Sequence, residues 1–157
     1  MISISTAEPS PTSDPMSVLT GMYAAEARYL AAGGPGQASF DILAPYFGPD
    51  MVLHQAEGLP YAGTWHGHDG LARFFLAMSE TWERFDMVEQ EFLTVSEVAV
   101  VETLVRARAR ATGRELALSI LQTIAIRDGR IREVRPFYWD TAAVRAACGL
   151  GPMAGGG

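Results

Sequence analysis

The sequence predicts an α+β domain in which one curved, mostly antiparallel sheet with a mixed edge wraps around N-terminal helices and encloses a pocket. Apolar residues recur at helical spacing through the first half of the chain, then at period two from about residue 85. Two hairpin turns punctuate the second half: "ATGRE" at 111–115 and "RDGR" at 127–130, the latter with the Asp-Gly signal. Helices followed by a run of strands leave the helices on one side of a sheet. The 157 residues, 48% hydrophobic and 19% charged, suffice for one core. The folded unit is expected over residues 16–147, between a Pro/Ser/Thr-rich N-terminal tail (1–15) and a Gly-rich C-terminal tail (148–157).

The elements follow in order. Val18, Met22, Ala25 and Tyr29 make one apolar face of a helix from Met16 to Ala32, and "GGPG" at 33–36 stops it. Phe40, Leu43, Ala44 and Phe47 keep helical spacing over a second, short helix from Ser39 to Phe47, with Ser39 as its N-cap. "MVLHQ" at 51–55 reads as a strand. A Gly- and Pro-rich stretch leads to a third helix from about Asp69 to Trp82, with Leu71, Phe74, Phe75, Met78 and Trp82 on one stripe. Strands are then predicted at about 85–95, 98–111, 115–127 and 131–139, and a last helical turn at Thr141–Ala147, capped by Asp140.

Alternation tells which strand residues face the core. Arg106, Arg108 and Arg110 share a face with Glu102 and Leu104; three arginines do not line an apolar interior, so that face is outward. Glu89 and Glu91 are expected opposite those arginines, which turns Val88, Gln90 and Phe92 inward. On 115–127 the inward face is Leu118, Ile120, Gln122, Ile124 and Ile126, with Gln122 its only polar member. The other face, Ala117, Ser119, Leu121, Thr123 and Ala125, carries no charge and suits packing against a second sheet, hence a homodimer.

Composition excludes some functions. A net charge of −6 and a pI near 5.0 repel phosphate backbones, so no nucleic-acid partner is expected. No apolar run approaches the ~20 residues of a membrane span, and the N-terminus has no signal-peptide pattern, so no membrane partner is expected either. The single cysteine, Cys148, fits a reducing, cytoplasmic setting.

Three stretches carry a resemblance: "FDILAPYFGPDMVLHQ", "GTWHGHDGLARFF" and "LALSILQTIAIRDGRIREVRPFYWD". The order of elements around them resembles the nuclear transport factor 2-like superfamily, the cone-shaped fold of ketosteroid isomerases and SnoaL-like polyketide cyclases, over about residues 18–144. The resemblance implies a small-molecule ligand in the cone and cofactor-free cyclisation, isomerisation or related acid–base chemistry on an apolar, oxygenated substrate. It places the isomerase base on or beside Gln55 and the protonated oxyanion-hole acid on Gln122. Both are amides here; an amide takes no proton at neutral pH, but its NH2 donates to an oxyanion. The helix-one tyrosine of the oxyanion hole falls on Tyr23 or Tyr29, and Tyr138 falls on a pocket aromatic of the last strand. The strand "LVRARARA" lacks the Asp that a limonene-type epoxide hydrolase pairs with its Arg, which disfavours that activity. The fold also hosts non-catalytic ligand-binding and dimerising modules, the rival reading.

All three histidines, His54, His66 and His68, fall within residues 54–70. A metal site would ask for a nearby carboxylate and strand-borne ligands, and helix signals begin at Asp69, so no metal is expected. His66 and His68 are read as turn residues. His54, level with the family's base position, is the expected catalytic base, with Glu57 three residues on as its carboxylate partner. Gln122 and Tyr29 complete the expected catalytic set; Tyr23, Gln55, Trp65, Phe75, Gln90 and Tyr138 are the expected substrate contacts. No cofactor is expected.

Overall fold

The computed structural model describes residues 13–153. Helix α1 (Pro15–Ala31) opens at Asp14, whose carboxylate accepts from the Ser17 amide at 2.9 Å, with Pro15 in the first turn where an N–H has no partner to find. The helix starts one residue before the predicted Met16, and so takes in the end of the expected tail; residues 1–12 of that tail, and residues 154–157 at the other end, lie outside the described residues. Val18, Leu19, Met22, Ala25 and Tyr29 are buried, as the stripe requires.

The predicted helix from Ser39 to Phe47 is instead two 3-10 turns, Phe40–Ile42 and Ala44–Tyr46. Pro45 is the physical reason: it has no N–H to give, and its ring excludes a continuous α-helix. Ser39 still caps, accepting from the Asp41 amide at 3.2 Å. Phe47 already begins strand β1 (Phe47–Gln55), so the predicted strand extends toward the N-terminus. Strand β2 (Gly63–His66), hidden in sequence by its Gly-rich surroundings, pairs antiparallel with β1, Gln55 opposite Gly63 and Val52 opposite His66.

Helix α2 (Gly67–Thr81) precedes β3 (Trp82–Val95), β4 (Val98–Ala109), β5 (Glu115–Arg127), β6 (Arg130–Tyr138) and α3 (Thr141–Ala147). The sheet runs β2-β1-β6-β5-β4-β3. β1 lies parallel to β6, and the remaining neighbours are antiparallel. The β5–β6 turn puts Asp128 and Gly129 at φ of 55° and 72°, the doubly left-handed geometry that Asp-Gly serves. No helix among the described residues is long and apolar enough to cross a membrane.

β4 alternates as predicted: Thr103, Val105, Ala107 and Ala109 are buried, and the arginine face is exposed. Its partners differ from the expectation. The register sets Arg84 and Asp86 opposite Arg108 and Arg106, and after a bulge between Met87 and Glu89 it sets Glu89 and Glu91 opposite Leu104 and Glu102, not opposite arginines. Arg108 pairs with Glu83 at 2.7 Å and with Glu115 at 3.5 Å instead. The same bulge turns Val88 outward, 59% exposed, while Gln90 and Phe92 stay on the inner side.

The inner side holds two buried clusters. One joins α1 to the sheet through residues such as Leu19, Met22, Leu53, Val101 and Ile124. The other gathers Tyr61, Trp82, Val105, Ile120 and Val144 at the end that α3 covers. Asp140 caps α3, accepting from the Ala143 amide at 3.0 Å. Beyond it, Arg145 donates to the Gly151 carbonyl at 2.7 Å and the Leu150 amide to the Arg145 carbonyl at 2.8 Å, so the first residues of the expected C-terminal tail are tied back onto α3.

Candidate active site

A cavity of about 530 Å³ opens between α1, α2 and the inner side of the sheet. That is a usual size for a small-molecule site. Its walls are apolar: Phe74 and Phe75 come from α2, Leu53 from β1, Ile120 from β5 and Trp82 from β3. Polar and charged side chains break that lining, Ser79, Glu83, Arg84, Asp86 and Arg110 among them. Tyr23 and Glu26 come from α1, Gln55 from β1, Gln122 from β5 and Tyr138 from β6.

Tyr23 and Glu26 stand three residues apart on α1, which stacks them on one helical face. Glu26 is half-buried, and burial pushes its carboxyl up from the ordinary 4.5 to about 7. Burial first, and then the Glu26 charge, push the Tyr23 phenol well above its ordinary value. The nearby Gln90 and Gln122 amides act the other way. Gln90 in turn donates to the buried Thr103 hydroxyl at 3.1 Å, and the Tyr23 ring meets Phe92 edge-on at 5.8 Å. Tyr23 is therefore a neutral donor held in place from behind, beside a carboxyl that titrates near neutrality.

Gln55 and Gln122 occupy the same level of the sheet. Leu53 of β1 is level with Val134 of β6, and two residues on along β6 Pro136 is opposite Gln122. The two residues are thus separated by one strand, their backbones ~10 Å apart at the usual strand spacing. Gln55 is 7% exposed, and its Oε1 is buried without a hydrogen-bond partner. At the end near α3, the Tyr61 and Tyr138 hydroxyls lie 2.6 Å apart and the Trp82 indole donates to Tyr61 at 3.3 Å. Burial pushes Tyr61 up to about 12 and Tyr138 well above the ordinary phenol value, so both stay protonated.

The structure brings Tyr23, Gln55, Phe75, Gln122 and Tyr138 to the cavity, with Gln90 one contact behind. It does not bring the expected base there. His54 alternates with the cavity-facing Leu53 and Gln55, so it points to the other side of β1, where its Nε2 lies 3.3 Å from a Glu133 carboxylate oxygen on β6. Glu57 is exposed in the loop after β1. Tyr29 is buried against Phe40 and Phe75 rather than in the lining. Trp65 is half-buried; its indole donates to the Tyr61 carbonyl at 3.2 Å and its ring packs on Phe74 outside the lining. His66 is exposed, whereas His68, expected at the surface, is half-buried and bonds the Phe47 carbonyl at 2.9 Å, fixing α2 to β1. The three histidines thus point apart, and no cluster of metal-ligating side chains occurs among the described residues.

Two residues escaped sequence reasoning. Glu26 had a signal: it stands four residues after Met22 and three before Tyr29, a carboxylate on the edge of the apolar stripe. Tyr61, in "LPYAG", had none, because loop spacing does not say which side chains turn inward.

A model of the SnoaL-like domain matches residues 27–134, more than half the chain. The chain belongs to the SnoaL-like domain family. No curated protein matches it by sequence. Among solved structures, this SnoaL-like chain is similar to an NTF2-like protein from Burkholderia xenovorans LB400, with TM-score 0.73 at 22% identity over 85% of this chain and 94% of that one. It is also similar to TerC co-crystallized with polyporic acid (0.71, 18% identity, 85% and 97% covered). A putative SnoaL-like polyketide cyclase from Jannaschia sp. CCS1 is similar as well (0.63, 16% identity, 83% and 92% covered). At these identities the likeness is one of fold, in accord with the six-stranded mixed sheet and its helices.

Proposed function

We propose that this SnoaL-like protein is a small-molecule enzyme that moves protons beside a carbonyl without a cofactor. Glu26 is the base, and Tyr23 with Gln122 forms the oxyanion site. The observation that carries this reading is the pairing on one turn of α1 of a cavity-facing carboxyl that titrates at about 7 with a neutral phenol donor. A base works best when its pKa lies near the working pH.

In the reaction, the Glu26 carboxylate takes a proton from the carbon next to a substrate carbonyl. The electron pair moves onto the carbonyl oxygen, where the Tyr23 hydroxyl and the Gln122 amide N–H donate to it. The negative charge passes from Glu26 to the substrate oxygen, so the step moves one charge and creates no second one. The protonated Glu26 then returns its proton. Delivered to a different carbon, it completes an isomerisation. If the enolate carbon first attacks a second carbonyl of the same molecule, a carbon–carbon bond closes a ring and Glu26 protonates the resulting alkoxide. The likeness to a protein co-crystallized with polyporic acid and to one described as a polyketide cyclase supports an oxygenated organic substrate.

The test is deuterium exchange at the α-carbons of 2-tetralone in D2O, followed by NMR. The wild-type protein is expected to accelerate exchange, and Glu26→Gln to remove roughly 10²–10⁴ of that acceleration. Exchange unaffected by Glu26→Gln sinks the assignment. No acceleration by the wild-type protein favours the rival reading, a ligand-binding module.

We further propose that the outer face of the sheet pairs with a second copy. Leu121, Phe137, Leu104 and Leu93 are all exposed there, next to the uncharged Ser119, Thr123 and Ala125 of β5. Contiguous exposed apolar side chains on a sheet face mark an interface.

A further inference from the structure

We infer that the cavity holds a second oxygen of its ligand at the end near α3, where the Tyr138 hydroxyl donates to it: the ligand brings a carbonyl or ether oxygen there, an acceptor with no hydrogen of its own.

Counting hydrogens leads to this. Three donors meet at that end: the Trp82 indole N–H and the hydroxyls of Tyr61 and Tyr138. An indole nitrogen only donates, so the 3.3 Å bond runs from Trp82 to the Tyr61 oxygen. The 2.6 Å contact between the hydroxyls uses one hydrogen more. One hydroxyl hydrogen is left over, and the surroundings decide whose it is. Tyr61 is 3% exposed, packs edge-on against Phe74 and takes no part in the cavity wall. If Tyr138 donated to Tyr61, the Tyr61 hydrogen would be shut in without an acceptor, which folded proteins avoid. If Tyr61 donates to Tyr138, both contacts of Tyr61 are satisfied. The hydrogen left over then belongs to Tyr138, which is less deeply buried and lines the cavity.

The wall beside it, formed by Phe74, Trp82 and Ile120, offers no acceptor, so a ligand is the group that completes the chain. That chain has a direction: Trp82 to Tyr61, Tyr61 to Tyr138, Tyr138 to the ligand. Hydrogen bonds in such a chain polarise one another, which strengthens the last donor. Both phenols stay protonated, so the chain presents a donor throughout the neutral range. Its members come from β3, β6 and the loop after β1, whereas Tyr23 and Glu26 come from α1. This subsite therefore stands whether or not Glu26 is a base.

The experiment is fluorescence titration with 2-naphthonitrile and 2-ethynylnaphthalene, which share a shape while only the first ends in an acceptor. Both are titrated into Tyr23→Phe protein, which lacks the phenol donor of the proposed oxyanion site. A preference for the nitrile of roughly three- to ten-fold is expected. Adding Tyr138→Phe is expected to bring the ratio close to one through the nitrile alone. Adding Tyr61→Phe instead is expected to keep the preference, because Tyr138 retains its own hydrogen. Equal binding of 2-ethynylnaphthalene by all three variants separates loss of the donor from loss of the fold. The stretch of the bound nitrile reads the bond with Tyr138 intact, and a hydrogen-bonded frequency is expected in Tyr23→Phe protein. A preference that survives Tyr138→Phe overturns the inference, as does one that Tyr61→Phe abolishes equally. So does a nitrile stretch like that in an apolar solvent, or failure of both compounds to bind at millimolar concentration. The 2-tetralone exchange by the wild-type protein judges the catalytic reading separately.

Discussion

Glu26 shows how a single residue couples stability to pH. Its carboxyl sits at about 7 in the folded protein against an ordinary 4.5. Between those values the folded state holds a proton that the unfolded chain has released. Stability is therefore highest below the unfolded value and falls as pH rises through about 7, with a ceiling of about 3 kcal/mol for the whole loss. Glu26→Gln removes the titration. In urea unfolding it is expected to match wild type near pH 5 and to exceed it by about 1–3 kcal/mol at pH 8; equal stability at both pH values would contradict the buried carboxyl. Tyr23→Phe keeps the ring against Phe92 but removes the donor, so a loss of roughly 10²–10³ in 2-tetralone exchange is expected with little change in melting temperature. At this scale the sequence was partly legible. Gln122 stood out as the polar member of an apolar strand face, and the family's base position fell on or beside Gln55. His54 was drawn in by its proximity to that position, but alternation on β1 sends Gln55 inward and His54 toward Glu133. Glu26 was passed over because a glutamate in a helix ordinarily faces water.

The elements themselves were largely legible. Period two and turn chemistry located β3 to β6, and helical spacing located α1, α2 and α3. What failed were places where one residue overrides a pattern: Pro45 breaks the spacing that predicted a second helix, and the bulge after Met87 moves Val88 outward. Helix α1 also depends on one residue. A Cβ on Gly21 would come within 2.6 Å of the Tyr46 ring, which is buried and has little room to retreat. Ala is the better helix former by ~1 kcal/mol, yet the clash is expected to prevail. Gly21→Ala should destabilise the protein by about 1–3 kcal/mol in denaturant unfolding. A stabilised variant would mean that α1 does not pack this closely on the Ala44–Tyr46 turn.

For the whole molecule, one sheet separates two surfaces with different tasks. The inner face and α1 enclose the cavity, and the outer face exposes Leu121 and Phe137, where the proposed second copy would pack. Leu121→Arg places charge in the centre of that face without touching the cavity, because β5 alternates sides. Native mass spectrometry is expected to show a dimer for wild type and a monomer for Leu121→Arg. A wild-type monomer would leave the apolar face without this partner. The cone architecture was legible in sequence as an order of elements, whereas the chemistry inside it depends on which side chains three separate elements bring together.

Glu26 as the base is tested most directly by an NMR titration of its carboxyl carbon, set beside the pH dependence of 2-tetralone exchange. One midpoint is expected for both, at about pH 7, with the rate rising as the carboxylate forms and the rise absent in Glu26→Gln. A Glu26 carbon that titrates in the ordinary carboxylate range, or a rate midpoint that survives Glu26→Gln, would contradict it.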